Sequence, residues 1–600
     1  MHKAPLPRIR RSIEAYVTAD RLSSLTGYGE PSGHFVIIHD NLQIMTIAYF
    51  SMEIGIERAI PTYAGGLGVL AGDTLRAAAD LGLPMIGVTL LYRKGYVRQS
   101  LTASGDQCDG AEHWEPELLL SACAPIVEVP LRDRVVAVRA WKRIETGVTG
   151  GTVPILFLDT DVPQNAPEDR SITHALYSGD AGHRVLQELV LGVGGVRMLR
   201  ALGYGDDLIY HMNEGHSAFL LCELLPESAA DTSACDRVRR RVVFTTHTPV
   251  PAGHDVFPRA LLEHILAAQH LRRVLPTLAH DVLNMTHFAM RFAGIVNAVS
   301  AMHREVTQRM FPEADVIAIT NGVHPVRWTS EPFARLFDRH IPGWRLRGEQ
   351  LRHAAIISTD EIRGAHSEAR RFLLDTIGHK FGVPFGGAGI LIGFARRATE
   401  YKRPLLIFRD PARLQRLAER FGPINLLFAG KAHPHDEQGK HIIRSLNDVG
   451  ALFGDLVRVA FLPNYDVELA SVMCAGVDLW LNTPRAPLEA SGTSGMKCAL
   501  NGVPSLSIAD GWWLEGGLDG INGWIVKSAL NEGGSVPSDQ DAADAEALYQ
   551  ALEDRVLPMF FRAPGDYARV MQQAIVTNAS FFNTHRMVDQ YRSMAYERCT

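Results

Sequence analysis

Short runs of apolar and β-branched residues, each ending in polar side chains, alternate along this chain with longer stretches of helical spacing. The segments "IMTIAYFSME" (44–53), "DLIYHMNEG" (207–215) and "RVVFTTHTPV" (241–250) read as strands with polar carboxyl ends. "DAGHRVLQELVLGVGGVRMLRALG" (180–203) reads as a helix opened by Asp180 and closed at Gly203. Its internal Gly192, Gly194 and Gly195 predict close packing against another backbone. A second series begins near residue 388 with "AGILIGFAR", "INLLFAGKA", "LVRVAFLPNY", "VDLWLN" and "VPSLSIAD", most of them separated by helical segments. Repeated β–α units predict parallel sheets, whose ligands gather at the carboxyl ends of the strands. The pattern therefore predicts two α/β domains, 1–340 and 341–600, with a cleft between them and the boundary after "NGVHPVRWTS". Residues 531–548 read as an acidic surface loop leading into a helix.

Composition narrows the picture. The chain has 600 residues, 46% hydrophobic and 21% charged, which is ordinary for globular proteins and too long for one core. A net charge of −6 argues against a chain-wide nucleic-acid or membrane-surface role. The run "GGAGILIGFA" (386–395) is a buried strand, and no apolar run reaches the roughly 18 residues of a membrane span. The 7 cysteines are scattered, odd in number and without a CxxC pair. That disfavours a disulfide framework or structural zinc and fits a reducing cytoplasm. The basic N-terminus, "MHKAPLPRIRRSIEAY", lacks the apolar core of a secretory signal.

Three segments carry candidate chemistry. In "EASGTSGMKCALNG" (489–502) a loop of small residues opens a helix, which makes an anion site from backbone N–H groups, with Ser491, Thr493 and Ser494 as further donors. Lys497, between Met496 and Cys498, is placed for a buried nucleophilic amine, as a Schiff base with pyridoxal phosphate requires. A solvated lysine in a flexible loop is the plainer alternative. In "YAGGLGVLAGDTLRAAADLG" (63–82), Gly65, Gly66 and Gly68 lead into a second helix. The G-x-G-x-x-A spacing is met there, but "IPTYA" separates it from the nearest strand, so an anion-binding or packing turn is favoured over a dinucleotide site. In "GFARRATEYKRPLL" (393–406), Arg396, Arg397, Lys402 and Arg403 follow an apolar strand. Four cations there would hold one or two phosphate groups. Composition alone stops at a phosphate-handling α/β enzyme.

Taken together, these residues resemble the α-glucan phosphorylases, the glycogen, starch and maltodextrin phosphorylase family. "EASGTSGMKCALN" fits every position of that family's pyridoxal-phosphate signature. "AYFSMEIGI", "HMNEGHSAF", "FTTHTPVPAGHDVF", "TNGVHPVRW", "RRATEYKRPLL", "FAGKAHP" and "FLPNYDVELA" follow in family order between about residues 48 and 525. The resemblance implies two Rossmann-like domains of glycosyltransferase-B type and a homodimer. It implies that an α-1,4-glucan or maltooligosaccharide plus inorganic phosphate gives glucose 1-phosphate, with retention and with the cofactor phosphate as proton relay. It makes Lys497 the Schiff-base lysine, sets Arg397 on substrate phosphate and Lys402 on cofactor phosphate, and gives Arg396 the place of a family lysine. Thr493 and Ser494 would donate to the cofactor phosphate, with Tyr465 lying against the cofactor. Gly65, Gly66 and Gly68 would bring backbone N–H groups to both phosphates. His247, Asn321, Glu489, Ser491 and Gly492 would hold the glucosyl unit, with Glu214 where longer members carry Asp.

Thr399 and Ala64 depart from the long members' histidine and asparagine. The family-like blocks begin near residue 48, which suggests a short, unregulated type, and residues 1–47 match nothing in it. The last helix is expected to pack back on the first domain. Two enzymatic rivals remain: a nucleotide-sugar glucan synthase of the same fold, and a glycosidase using Glu214 and Glu489. A non-enzymatic glucan-binding protein is a third. Met52, Met212 and Met496 read as core filler. Trp512 and Trp513 either stack on sugar or pack internally.

Overall fold

A computed structural model describes residues 45–205, 207–227, 231–250, 253–527 and 539–599. Residues 1–44, and the part of the acidic segment from 531 to 538, lie outside the described residues.

The alternating pattern resolves into two large sheets. The larger has nine strands in the spatial order Val316–Ala318, Ile295–Ala298, Val242–Thr245, Leu208–Asn213, Thr46–Ser51, Met85–Leu90, Thr152–Asp159, Val135–Thr146, Ser121–Pro130. The first seven run parallel, and the last two add on antiparallel. The smaller sheet has six parallel strands, ordered Val457–Leu462, Ile424–Ala429, Ile390–Ala395, Leu479–Asn482, Ser505–Ile508, Gly523–Val526. The fold is thus mixed α/β with large parallel sheets. The antiparallel edge, the parallel strands Met85–Leu90, Thr152–Asp159, Ile295–Ala298 and Val316–Ala318, and the strand Gly523–Val526 are additions to the strands read from the hydrophobic pattern.

The central strands Met85–Leu90 and Ile390–Ala395 are buried at every position. Strands covered on both faces need continuous apolar runs, and each fully buried Leu or Ile contributes about 1.5–3 kcal/mol. The helix predicted from Asp180 is present: Asp180 caps it by accepting the His183 N–H at 2.9 Å. A π-helical turn at Val190–Gly194 interrupts it. A Cβ on Gly192 would lie 2.3 Å from the Leu220 backbone nitrogen, so this glycine is required by a backbone contact.

Loops from the carboxyl ends of both sheets meet. Lys431 Nζ donates to the Val97 carbonyl (2.7 Å), Gln99 Nε2 to the Gly430 carbonyl (3.0 Å), and Ser300 Oγ to the Ala490 carbonyl (2.6 Å). The helix Thr584–Met594 and the residues after it return to the larger sheet. There Tyr591 bonds Asn297 (2.9 Å) and Tyr596 bonds His211 (2.7 Å). Trp512 and Trp513 are 2% and 1% exposed and meet edge to face, so they pack internally. Met52, Met212 and Met496 are fully buried.

Candidate active site

Lys497 lies on the one-and-a-half-turn helix Ser494–Ala499, capped at Thr493 after the small-residue loop. The residue is 8% exposed, and its Nζ sits 3.9 Å from the centre of the Trp328 ring. A desolvated cation–π contact of this kind contributes about 1–2 kcal/mol. Burial pushes the amine's pKa down, against the pull of Cys474 and Asp73. Trp328 is held by Asp73, which accepts its Nε1–H at 2.6 Å and pairs with Arg327 at 2.9 Å. Asp73 belongs to the helix Gly66–Asp80 that the early glycines open. The lysine and the glycine turn, more than 400 residues apart, are therefore joined through one aspartate and one indole.

At that turn, Gly65 caps the helix with no side-chain partner. The Ala64 and Gly65 N–H groups point to Glu53, donating to its Oε2 at 2.6 and 3.1 Å. The resemblance gave Gly65's N–H to phosphate; here it is already used. The free first-turn donors are those of Gly66, Leu67 and Gly68, since the next bond is Val69 N–H to the Gly65 carbonyl. Arg397 lies across this turn: a Cβ on Gly65 would be 3.8 Å from its Cδ. Arg397 is an exposed residue with Tyr401, Glu53, Tyr177 and Tyr96 within electrostatic reach, and its guanidinium makes no ion pair or hydrogen bond among the described residues.

The basic segment divides. Arg396 Nη2 and Lys402 Nζ converge on Glu489 Oε2 at 2.5 and 2.6 Å. Burial alone would raise the Glu489 pKa, yet Arg396 and Lys402 hold it down at about 2. Lys402, assigned by the resemblance to a cofactor phosphate, thus rests on the carboxylate that the resemblance assigned to the sugar. Arg403 turns away: at φ +48° it is locked on Asp541 (2.8 Å) and Asp544 (2.7 Å) and on the Thr483 and Pro484 carbonyls. The site therefore holds three cations rather than four. Arg403 went wrong because its acids lie some 140 positions downstream.

The Glu489 loop is clamped from the neighbouring strand end. Asp510 Oδ2 accepts the Glu489 N–H (2.9 Å), and the Ser491 carbonyl accepts the Trp512 N–H (3.0 Å). Burial, with Glu489 nearby, lifts the Asp510 pKa to about 7. Gly492 has φ +80°, and a Cβ there would lie 3.3 Å from Arg396 Nη2. Ser494 Oγ accepts the Trp480 Nε1–H at 3.0 Å. Tyr465 sits beside Cys474 and Cys498, where burial raises its hydroxyl pKa well above the ordinary value.

His247 Nε2 meets Asn213 Oδ1 at 2.7 Å, and its backbone N–H donates to Glu214 Oε2 at 2.5 Å. Burial lowers the imidazole pKa to about 3, so the ring is neutral and Nε2–H is its donor. Glu214, at φ +76°, also accepts the Gly215 N–H. It serves the backbone of the His247 loop rather than open space. Asn321 is buried, with Oδ1 lacking a partner, and Arg396 Nη1, Ser491 Oγ and Thr399 Oγ1 are likewise buried and unsatisfied. Unpaired buried polar atoms are costly unless a ligand meets them.

Glu53, Asp73, Tyr177, Trp328 and Asp510 were not selected from the sequence. The available signal was an acid directly after an apolar strand, as in "AYFSME" and "SLSIAD". Asp80, His324 and His585 form the one trio of the described residues spaced to ligate a metal. Each histidine accepts a backbone N–H on Nδ1, from Arg327 (3.1 Å) and Gly348 (3.2 Å). Each Nε2 therefore carries its proton and donates to Asp80 Oδ2 at 2.8 and 2.9 Å. No lone pair is left for a metal, and the trio is a structural tie.

Fold and site together define an α/β enzyme built around an anion-gathering centre. A family model described as carbohydrate phosphorylase matches residues 268–516. The chain is 39% identical over 598 residues to the maltodextrin phosphorylase of Thermococcus litoralis, covering 92% of this chain and 70% of the relative. It is 38% identical to the glycogen phosphorylase of Mycobacterium tuberculosis H37Rv (91% and 70% covered) and 34% identical to that of Aquifex aeolicus (92% and 86%). The chain belongs to the carbohydrate phosphorylase family.

Proposed function

We propose that this chain is a glycosyltransferase that cleaves α-1,4-glucans from their non-reducing ends with inorganic phosphate, releasing glucose 1-phosphate with retention. The observation that carries the reading is the unpaired Arg397 guanidinium lying across a glycine turn with free helix N–H groups, joined through Asp73 and Trp328 to a buried lysine amine.

Pyridoxal 5′-phosphate fits the residues present. The Lys497 amine is buried, has a lowered pKa and makes no hydrogen bond or ion pair among the described residues. Lys497 would hold the group, with Thr493, Ser494, Lys402 and Arg396 toward its phosphate and Tyr465 against its ring. When bound, it supplies a phosphate titrating near neutrality, able to share a proton with a neighbouring phosphate. Arg397 and the N–H groups of Gly66, Leu67 and Gly68 bind inorganic phosphate and neutralise the repulsion between the two anions. Glu489, Ser491, Gly492, Asn321 and the neutral His247 hold the terminal glucosyl unit, and Glu214 fixes the His247 backbone.

In the same reading, the described residues up to 340 and those after it form the two lobes of a glycosyltransferase-B arrangement, the terminal helix returns to the first lobe, and the chain works as a homodimer. The cytoplasmic assignment draws support from seven free cysteines. No described helix is long and apolar enough to cross a membrane. The glycosidase rival is disfavoured because Glu489 Oε2 is already taken by Arg396 and Lys402, and both oxygens of Glu214, although burial raises its pKa, are turned to the Gly215 and His247 backbone N–H groups. A nucleotide-sugar synthase has no use for the Lys497 amine. Incubation with maltooligosaccharides with and without inorganic phosphate tests the proposal. Glucose 1-phosphate is expected only with phosphate, and free sugar released without it refutes the reading.

A further inference from the structure

The geometry points to Glu53 and Tyr177 as a positioning pair that orients the phosphate-binding turn, an inference that rests on the phosphorolytic reading above. A buried carboxylate beside an anion site is an electrostatic liability, so its presence calls for a compensating gain. Glu53 is 3% exposed, on the loop after the strand Thr46–Ser51. Its Oε2 takes the Ala64 and Gly65 N–H groups, and its Oε1 takes the Tyr177 hydroxyl at 3.0 Å. Both N–H groups just ahead of the helix are thereby turned inward. Those of Gly66, Leu67 and Gly68 meet no acceptor among the described residues, and Arg397 lies beside the same turn at Gly65. A Cβ on Gly68 would come within 2.7 Å of Glu53 Oε2, so the fit between turn and carboxylate is close.

Tyr177 is itself held from three directions. Its backbone sits at φ +56°, a strained value for a non-glycine residue. The Arg184 guanidinium lies 4.5 Å from its ring centre. Its carbonyl accepts His433 Nε2–H at 3.1 Å, with the tautomer fixed because His433 Nδ1 accepts the His435 N–H. His433 follows the strand Ile424–Ala429 of the smaller sheet. The pair therefore sets the turn on the larger sheet in register with a loop of the smaller one. Glu53 acts through the turn, by fixing which donors remain free.

Steady-state phosphorolysis by Glu53→Ala, Glu53→Gln and Tyr177→Phe tests this. Glutamine keeps an oxygen for the two N–H groups and an amide for the tyrosine oxygen, so it preserves geometry without charge. Glu53→Ala is expected to raise the KM for inorganic phosphate tenfold or more while the KM for maltohexaose stays within twofold. Glu53→Gln is expected to return the phosphate KM to within threefold of the parent, and Tyr177→Phe to raise it three- to fivefold. Parallel rises in both KM values, an unchanged phosphate KM in Glu53→Ala, or a glutamine variant as impaired as alanine would overturn the inference. If Glu53→Ala does not fold, Tyr177→Phe decides by the same split. If the parent releases no glucose 1-phosphate, the phosphorolytic reading fails separately. The pair is then judged by calorimetric titration of inorganic phosphate: a tenfold loss of affinity in Glu53→Ala restored by glutamine supports it, and equal affinities refute it.

Discussion

At the scale of the residue, the site depends on buried charges that are paired or deliberately left unpaired. Lys497 is the clearest case, since a lowered amine pKa raises the fraction of free base. Lys497→Ala is expected to cost more than about a thousandfold in phosphorolysis, since the tether that positions the cofactor phosphate is lost. The purified variant is expected to lack the near-ultraviolet or visible absorbance of bound pyridoxal phosphate; retained activity would refute the assignment. Glu489 makes a second prediction. Its folded pKa, about 2, is depressed from an ordinary 4.5, so its contribution to stability is full above about pH 4.5 and is lost as pH falls toward 2. The contribution is on the order of 3 kcal/mol. Urea titrations at pH 7 and pH 3 are expected to differ less for Glu489→Gln than for the parent. Lys497 could be read from its local signature. Glu489's partners, Arg396 and Lys402, could be read only as a basic cluster, because nothing local says which acid each cation meets.

At the scale of the element, the helix Gly66–Asp80 places the proposed phosphate donors and Asp73 together. It is seated by backbone contact: a Cβ on Gly72 would lie 2.2 Å from the Gly55 carbonyl oxygen. Gly72→Ala must displace the helix or the loop, and overpacking of this kind costs about 1–3 kcal/mol. Thermal unfolding should show a lower midpoint, and a rise in phosphate KM should accompany it, because the turn rides on the same helix. Strand positions in the second series were legible, since β-branched runs of "ILIGFA" type have one stable environment, between two covering layers. In the larger sheet Thr46–Ser51, Leu208–Asn213 and Val242–Thr245 were legible, and Met85–Leu90, Thr152–Asp159, Ile295–Ala298 and Val316–Ala318 were not. The π-helical turn at Val190–Gly194 was not legible; of the glycines expected to meet another backbone, Gly192 does, while Gly194 and Gly195 face the side chains of Val129 and Phe50. The strands Ser121–Pro130 and Val135–Thr146 were missed because their half-exposed, mixed pattern carries a weak signal.

At the scale of the whole molecule, distant segments are fastened by a few buried polar ties. Asp80, at the end of the early helix, takes a proton from each of His324 and His585 on Oδ2 and the Val148 N–H on Oδ1 at 2.7 Å. Asp80→Asn replaces one of the two acceptor oxygens by a donor, which must then oppose either the two histidine N–H groups or the Val148 N–H. A loss of about 2–3 kcal/mol is expected from denaturant unfolding. Addition of zinc is expected to leave the parent's midpoint unchanged, because both Nε2 lone pairs are occupied by protons. A zinc-dependent rise would overturn the tautomer assignment.

The sequence by itself determined the alternation of strand and helix, the two series of parallel strands, and the lysine, glycine and arginine segments at their carboxyl ends. All of these are set by short-range patterning and local backbone requirements. Only the tertiary structure decided that Glu53 occupies the Ala64 and Gly65 N–H groups, that Arg403 serves Asp541 and Asp544, and that Trp328 and Asp73 join the lysine to the glycine turn. Those pairings span tens to hundreds of residues, and a buried charge finds its partner through the packing of whole elements, which no local stretch of chain encodes.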